Sequence, residues 1–300
     1  MSDSWPPALD ARAHALDGGA TMYHAIEYAI VEGFRPLQLD LYLPAPATEP
    51  TPAVVYIHGG GWSLGTRRRF GRAFKPWQPT AMERVAAAGF AIVSMDYRLS
   101  SESLFPAQLH DVKGALRWVR ANAAQLNVDS DRVVAWGESA GGHLASLVGL
   151  TGDRLDLEGD VGPAGPSSAV SGVIAWYAPS DLRSMSAQRH PESTVAPESP
   201  DSTESRLIGA PLGQRPDLAT LASPITYVHA GAPPFQLTHG TDDRLVPFGQ
   251  SVQLAAALEQ VGVPADLIPI EGADHFWIGA PSIDAIFESS LAFARRAVGR

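Results

Sequence analysis

AWGESAGGHLAS, residues 135–146, sets a serine between glycines where two different sequence patterns meet. Upstream, RVVAW (132–136) is β-branched and aromatic, the composition of a short buried strand. Downstream, HLASLVGL (143–150) is rich in helix formers. The strand and helix therefore join at Gly137-Glu138-Ser139-Ala140-Gly141 with almost no loop between them. A turn that tight forces its central residue into an unusual backbone conformation. Glycines two positions to either side remove the β-carbons that would clash, which is the mechanics of the G-x-S-x-G elbow. The Ser139 hydroxyl would then stand at the C-terminal edge of a sheet. Taken alone, the pentapeptide also fits a Gly/Ser-rich turn without chemistry, so the surrounding chain must decide.

Working outward, strand-like and helix-like segments alternate. LQLDLYLP (37–44) alternates apolar and polar residues, as an edge or half-buried strand does. AVVYIH (53–58) and FAIVSMDY (90–97) are continuously apolar, the pattern of strands covered on both faces. MERVAAAGF (82–90) between them reads as a helix ending at Gly89. A further helix opens at Pro106, with Leu109, Val112, Leu116, Val119 and Ala123 on one apolar stripe. After the Ser139 helix come strand VSGVIAWYAP (170–179), strand PFQLTHG (234–240), a helix over about 247–261, strand ADLIPI (265–270) and a helix over about 282–298. This order predicts an α/β fold, a mostly parallel central sheet with helices on both faces.

One segment breaks the rhythm. Residues 183 to about 230 are rich in Pro, Ser and Glu, and are expected as a loop-rich insertion over the active face rather than a separate domain. A disordered linker is the alternative for 188–203. Residues 1–35 are expected as an N-terminal extension or partial cap, and 36–300 as one domain carrying the insertion.

Composition narrows the function. The chain has 300 residues, 45 % hydrophobic, enough for one large core. Its 22 basic and 32 acidic residues give a net charge of −10, the wrong sign for a phosphate-binding surface. With no cysteine, disulfides and thiolate metal sites are excluded. The N-terminus lacks a basic stretch followed by an apolar one, and no apolar run approaches the roughly 18 residues of a membrane span. A soluble, cytoplasmic protein is expected.

A serine hydroxyl needs a base, a group orienting that base, and donors for an oxyanion. YIHGGGW (56–62) follows a buried strand, and its glycines would let backbone N–H groups point into a cavity. Gly60, Gly61 and the Ala140 amide are the expected donors, an HGGG-type oxyanion hole. LTHGTDDRLVP (237–247) offers two adjacent aspartates, of which at most one can serve. IEGADHFW (270–277) supplies His275. The order Ser, Asp, His is the one this fold uses.

With HGGGW (58–62), DYRLS (96–100), FPAQLHDV (105–112), GESAGGHLA (137–145), HGTDDRLVP (239–247) and GADHFW (272–277), the chain resembles α/β-hydrolase carboxylesterases near the hormone-sensitive-lipase and feruloyl-esterase-like groups. The resemblance runs from about residue 36 to the C-terminus. Its D-x-x-V-P pattern selects Asp243 over Asp242. It implies a Ser139–His275–Asp243 acyl-enzyme mechanism on carboxylic esters of short to medium acyl chains. An arylformamidase-type amide hydrolase and a feruloyl or acetyl esterase of plant polysaccharides are the alternatives. A catalytically dead binding protein would lack a triad member or a glycine, and none is missing. Two features depart from the lipase-like branch: Glu138 stands where Asp is usual, and no helical cap is evident in residues 1–35.

Other residues have plainer readings. His143, one turn after Ser139, reads as a packed helix residue, and His58 as a clamp on the glycine loop. His110-Asp111 reads as structural, and TRRRF (66–70) as a solvated basic loop. Trp62 and Trp277 flank the expected catalytic loops and are expected to line the substrate pocket. No cofactor and no metal are expected. The expected partner is a small-molecule ester, with no nucleic acid and no membrane; a homodimer is left open.

Overall fold

A computed structural model describes residues 13–152 and 154–299 of the chain. Among these, nine strands form one sheet: β1 (Ala13–Ala15), β2 (Thr21–Ala29), β3 (Leu37–Leu43), β4 (Thr51–Ile57), β5 (Ala91–Met95), β6 (Val128–Glu138), β7 (Gly172–Trp176), β8 (Phe235–Gly240) and β9 (Ala265–Ile270). Their order across the sheet is β1-β2-β3-β5-β4-β6-β7-β8-β9. Strands β4 to β9 are parallel to one another, while β1, β2 and β3 pair antiparallel at one side, β3 against β5.

The inner parallel strands, β4 to β8, are largely buried on both faces because successive side chains feed two cores, while the edge strand β9 is only partly covered. Val55, Ala135 and Ala175 enter one core with Leu109, Val112 and Leu116 from α2 (Ala107–Ala121), Leu126 from α3 (Ala123–Leu126), and Leu254 and Leu258 from the Gly249–Gln260 helix. Tyr56, Trp136 and Trp176 enter the other, against Met82 and Val85 of α1 (Ala81–Ala87) and Ile286, Phe287 and Leu291 of the Ile283–Ala297 helix. Helix α1 starts cleanly because Thr80 and Glu83 form a reciprocal capping box.

Three expectations need correction. Strand β3 lies between β2 and β5 rather than at an edge, and most of it is buried. Its polar Asp40 is buried because it pairs with Arg67 of the TRRRF run. That run is accordingly not all solvated: Arg67 is bound to Asp40 and Asp96, while Arg68 and Arg69 are exposed. Within residues 1–35, β1 and β2 are not a cap but the antiparallel margin of the sheet. Residues 1–12 of the expected extension lie outside the described residues.

The segment between β7 and β8 holds three short helices, α5 (Met185–Gln188), α6 (Thr203–Ile208) and α7 (Pro216–Leu221), joined by turns. Leu207, Ile208, Leu212 and Ala219 anchor it to the first core. Among the described residues, no helix is long and apolar enough to cross a membrane.

Candidate active site

Because β4 to β9 run parallel, the loops after them gather at one edge of the sheet. Strand β6 ends at Glu138, and helix α4 (Ala140–Thr151) begins two residues later. Ser139 between them sits at φ 51°, ψ −121°, a conformation that L-residues avoid. Only glycine fits two positions to either side of it. A β-carbon on Gly141 would lie 2.0 Å from the Ile57 carbonyl oxygen, and one on Gly137 would lie 2.2 Å from that of Gly141. The Ser139 amide donates to the Trp176 carbonyl at 2.8 Å, which ties the elbow to β7.

Ser139 Oγ lies 3.1 Å from His275 Nε2, and His275 Nδ1 lies 2.7 Å from Asp243 Oδ2. All three residues are buried. Asp243 Oδ1 accepts from the Leu245 and Val246 amides, both at 2.8 Å. This is the physical content of the D-x-x-V spacing: the carboxylate closes its own turn. Asp242, exposed on the same turn, points elsewhere. Burial alone would raise the Asp243 pKa. The charge of His275 and hydrogen bonds from His239 and His275 outweigh it and hold the carboxyl well below its usual range.

The Gly60 and Gly61 backbone takes φ values of 115° and 57° after β4. Both residues, with Ala140, line the cavity that contains Ser139 and His275. Among the described residues, no protein acceptor engages their N–H groups. His58 holds this loop as expected: its Nδ1 donates to the Gly59 carbonyl at 2.8 Å, and its ring stacks on Tyr97.

His143 is pinned away from the cavity. Its Nδ1 accepts from Trp62 Nε1 at 3.2 Å and its Nε2 donates to the Ala222 carbonyl at 2.6 Å. Burial pushes its pKa down to about 4. Asp111 is spent on the Arg98 side chain and amide. Trp62 lines the cavity, but Trp277 does not. Phe276 and Trp277 both take positive φ in a turn, so consecutive rings diverge. Trp277 packs against Trp176 and Tyr177 in the second core, and Phe276 lines the cavity in its place.

Several contributors were not apparent from sequence. His239 Nε2 lies 3.3 Å from Asp243 Oδ2, and its ring is held between the Ser251 hydroxyl and the Val246 carbonyl. Asp274 accepts from the His275 and Arg244 amides, so it joins the acid and base loops. The available signals were His239, four residues before Asp243, and Asp274, immediately before His275. Glu138 accepts from the Tyr177 hydroxyl at 2.6 Å, and the Tyr177 ring lies 4.5 Å from that of His275. Burial raises the Glu138 pKa against the opposing pull of Tyr177 and His275. Among the described residues, no cluster of His, Asp and Glu has the arrangement of a metal site.

The parallel sheet, the strained serine turn and the Ser–His–Asp hydrogen-bond chain define an α/β-hydrolase. The chain belongs to the BD-FAE family, whose profile matches residues 39–258. Esterase LipC of Mycobacterium tuberculosis is 30 % identical over 229 residues, covering 76 % of this chain and 53 % of LipC. The chain spans about half the length of the curated relatives it matches. A truncated form of a carbohydrate esterase from gut microbiota superposes with a TM-score of 0.81 at 30 % identity, covering 96 % of this chain and all of that one (100 %). The thermophilic esterase Est2 of Thermogutta terrifontis, with propionate bound, superposes with a TM-score of 0.69 at 30 % identity over 93 % of each chain.

Proposed function

We propose that this chain is a serine hydrolase cleaving carboxylic esters of short to medium acyl chains. One observation carries the reading: the hydrogen-bond chain from Ser139 Oγ through His275 to Asp243, at 3.1 and 2.7 Å, on the wall of a cavity of about 580 Å³. His275 takes the Ser139 proton as Oγ attacks the ester carbonyl, and Asp243 fixes the imidazole tautomer and stabilises its cation. The Gly60, Gly61 and Ala140 amides receive the developing oxyanion, each worth about 10²–10³-fold in rate. His275 then protonates the departing alcohol, and a water repeats the sequence to release the acid. The esterases among its relatives, one solved with propionate, support both the reaction class and a short acyl group.

A second reading, an esterase of acylated carbohydrates, is favoured by the likeness to the gut carbohydrate esterase. The test of the reaction class is turnover of a p-nitrophenyl acyl series beside N-formylanilide. Hydrolysis of the acetate to hexanoate esters, with the anilide far slower, is expected. Preference for the anilide would instead make the chain an amide hydrolase.

A further inference from the structure

Strand β8 brings a second imidazole to the carboxylate of Asp243. His239, the last residue but one of that strand, is fully buried between the Gly249–Gln260 helix and the turn that carries Asp243. Its Nδ1 lies 2.7 Å from Ser251 Oγ, and its Nε2 lies 3.0 Å from the Val246 carbonyl oxygen. The same Nε2 is 3.3 Å from Asp243 Oδ2, the oxygen that accepts from His275 Nδ1 at 2.7 Å.

These partners assign the tautomer. A carbonyl and a carboxylate can only accept, so Nε2 carries the hydrogen; the Ser251 hydroxyl can donate, so Nδ1 accepts. Val246 is bound twice, its amide to Asp243 Oδ1 and its carbonyl to His239, so the turn is pinned to β8 as well as closed on itself. An apolar side chain would fill the same space but leave Val246 and Asp243 Oδ2 without that N–H. Other titratable groups approach the Asp243–His275 pair from the remaining elements. Glu138 comes from the serine turn, the Tyr177 ring from the end of β7, and Asp274 from the base loop. Arg244, next along the acid turn, directs its guanidinium to Glu192 and Asp274. Burial raises the Asp243 pKa, but the charge of His275 and the two hydrogen-bonding imidazoles more than offset it.

We propose that His239 is a positioning residue for Asp243: it pins the acid turn to β8 and, with its N–H toward Oδ2, limits how tightly that oxygen holds protonated His275. Ser251, donating to the far nitrogen, polarises the ring and strengthens that N–H as a donor. The contacts then run from Ser251 through His239, Asp243 and His275 to Ser139. This inference rests on the esterase reading above and adds two residues that act on the reaction through Asp243. A donor that stabilises a carboxylate makes it a weaker base, so removing the donor strengthens its hold on the imidazolium.

The test follows kcat/KM for p-nitrophenyl acetate against pH, together with the downfield Nδ1–H proton resonance of His275. That resonance reports the bond to Asp243 and needs no turnover. In His239→Leu the acid limb should move up by about half a pH unit, about threefold in rate on that limb. KM should change far less, and the resonance should be displaced. His239→Gln, which keeps an N–H near the same place, should return both readouts toward native. Ser251→Ala should move them in the same direction as His239→Leu, by less. A limb and resonance unchanged in His239→Leu while its melting temperature falls, or a limb moved down, would overturn the proposal and leave His239 a packing residue. If His239→Leu does not fold, Ser251→Ala decides: readouts identical to the native ones contradict the proposal. Failure of the native protein to cleave any ester would instead remove the esterase reading, and the resonance would still test the link from His239 to His275.

Discussion

Asp243 accepts on both carboxylate oxygens, two backbone amides on one and the His275 imidazole on the other, with His239 Nε2 3.3 Å away. Asparagine in its place would present an amide N–H or a weaker acceptor to His275 and favour the wrong imidazole tautomer. Asp243→Asn should therefore lower kcat by about 10⁴-fold, whereas Asp242→Asn, on the exposed neighbour, should change it little; steady-state kinetics on one ester ranks them. The same carboxylate predicts an acid sensitivity with a definite sign. Its folded pKa lies below the ordinary 3.8, so its stabilisation is complete above that value and is lost as pH falls through the folded pKa. Between pH 5 and pH 3 the melting temperature of the native protein should fall more than that of Asp243→Asn. Glu138 acts oppositely: its raised pKa makes its contribution weaken as pH climbs above 4.5.

At the scale of elements, the glycine loop after β4 is where backbone conformation would supply the proposed oxyanion donors. A β-carbon on Gly60 would lie 2.3 Å from the Leu64 carbonyl oxygen, and the residue's φ of 115° is strained for any side chain. Gly60→Ala should displace an oxyanion donor, lowering kcat by about 10²–10³-fold with KM changed far less. Elements with a strong pattern were legible in the sequence: β4 and β5 as apolar runs, α2 by its stripe, and the Ser139 turn by its glycines. Strand β2 was not, because most of its residues are only half-buried and its pairing has irregular register. Helices α5 to α7, of four to six residues each, complete too few turns to show a period. The triad was readable because each member follows a strand, whereas the direction of each side chain is a tertiary property.

Phe276 and Trp277 carry that point to the whole molecule. Adjacent in sequence, one lines the cavity that holds Ser139 and His275 and the other joins Trp136, Trp176 and Phe287 in the second core. Phe276→Ala should shift the ratio of kcat/KM between short and long acyl esters by roughly tenfold. Trp277→Ala should instead cost about 3–5 kcal/mol of stability and leave that ratio unchanged, as thermal melts and an acyl-chain series would report. The insertion is part of the same assembly. His143 bridges Ala222 of that segment to Trp62 beside the glycine loop, so one buried imidazole ties the insertion to that loop.

Everything above depends on Ser139 being the nucleophile. Intact-mass analysis after treatment with a serine-directed organophosphonate tests that directly. The account predicts a single covalent adduct on the native protein, absent from Ser139→Ala, with ester hydrolysis lost in parallel. An adduct of undiminished yield on the variant would contradict it.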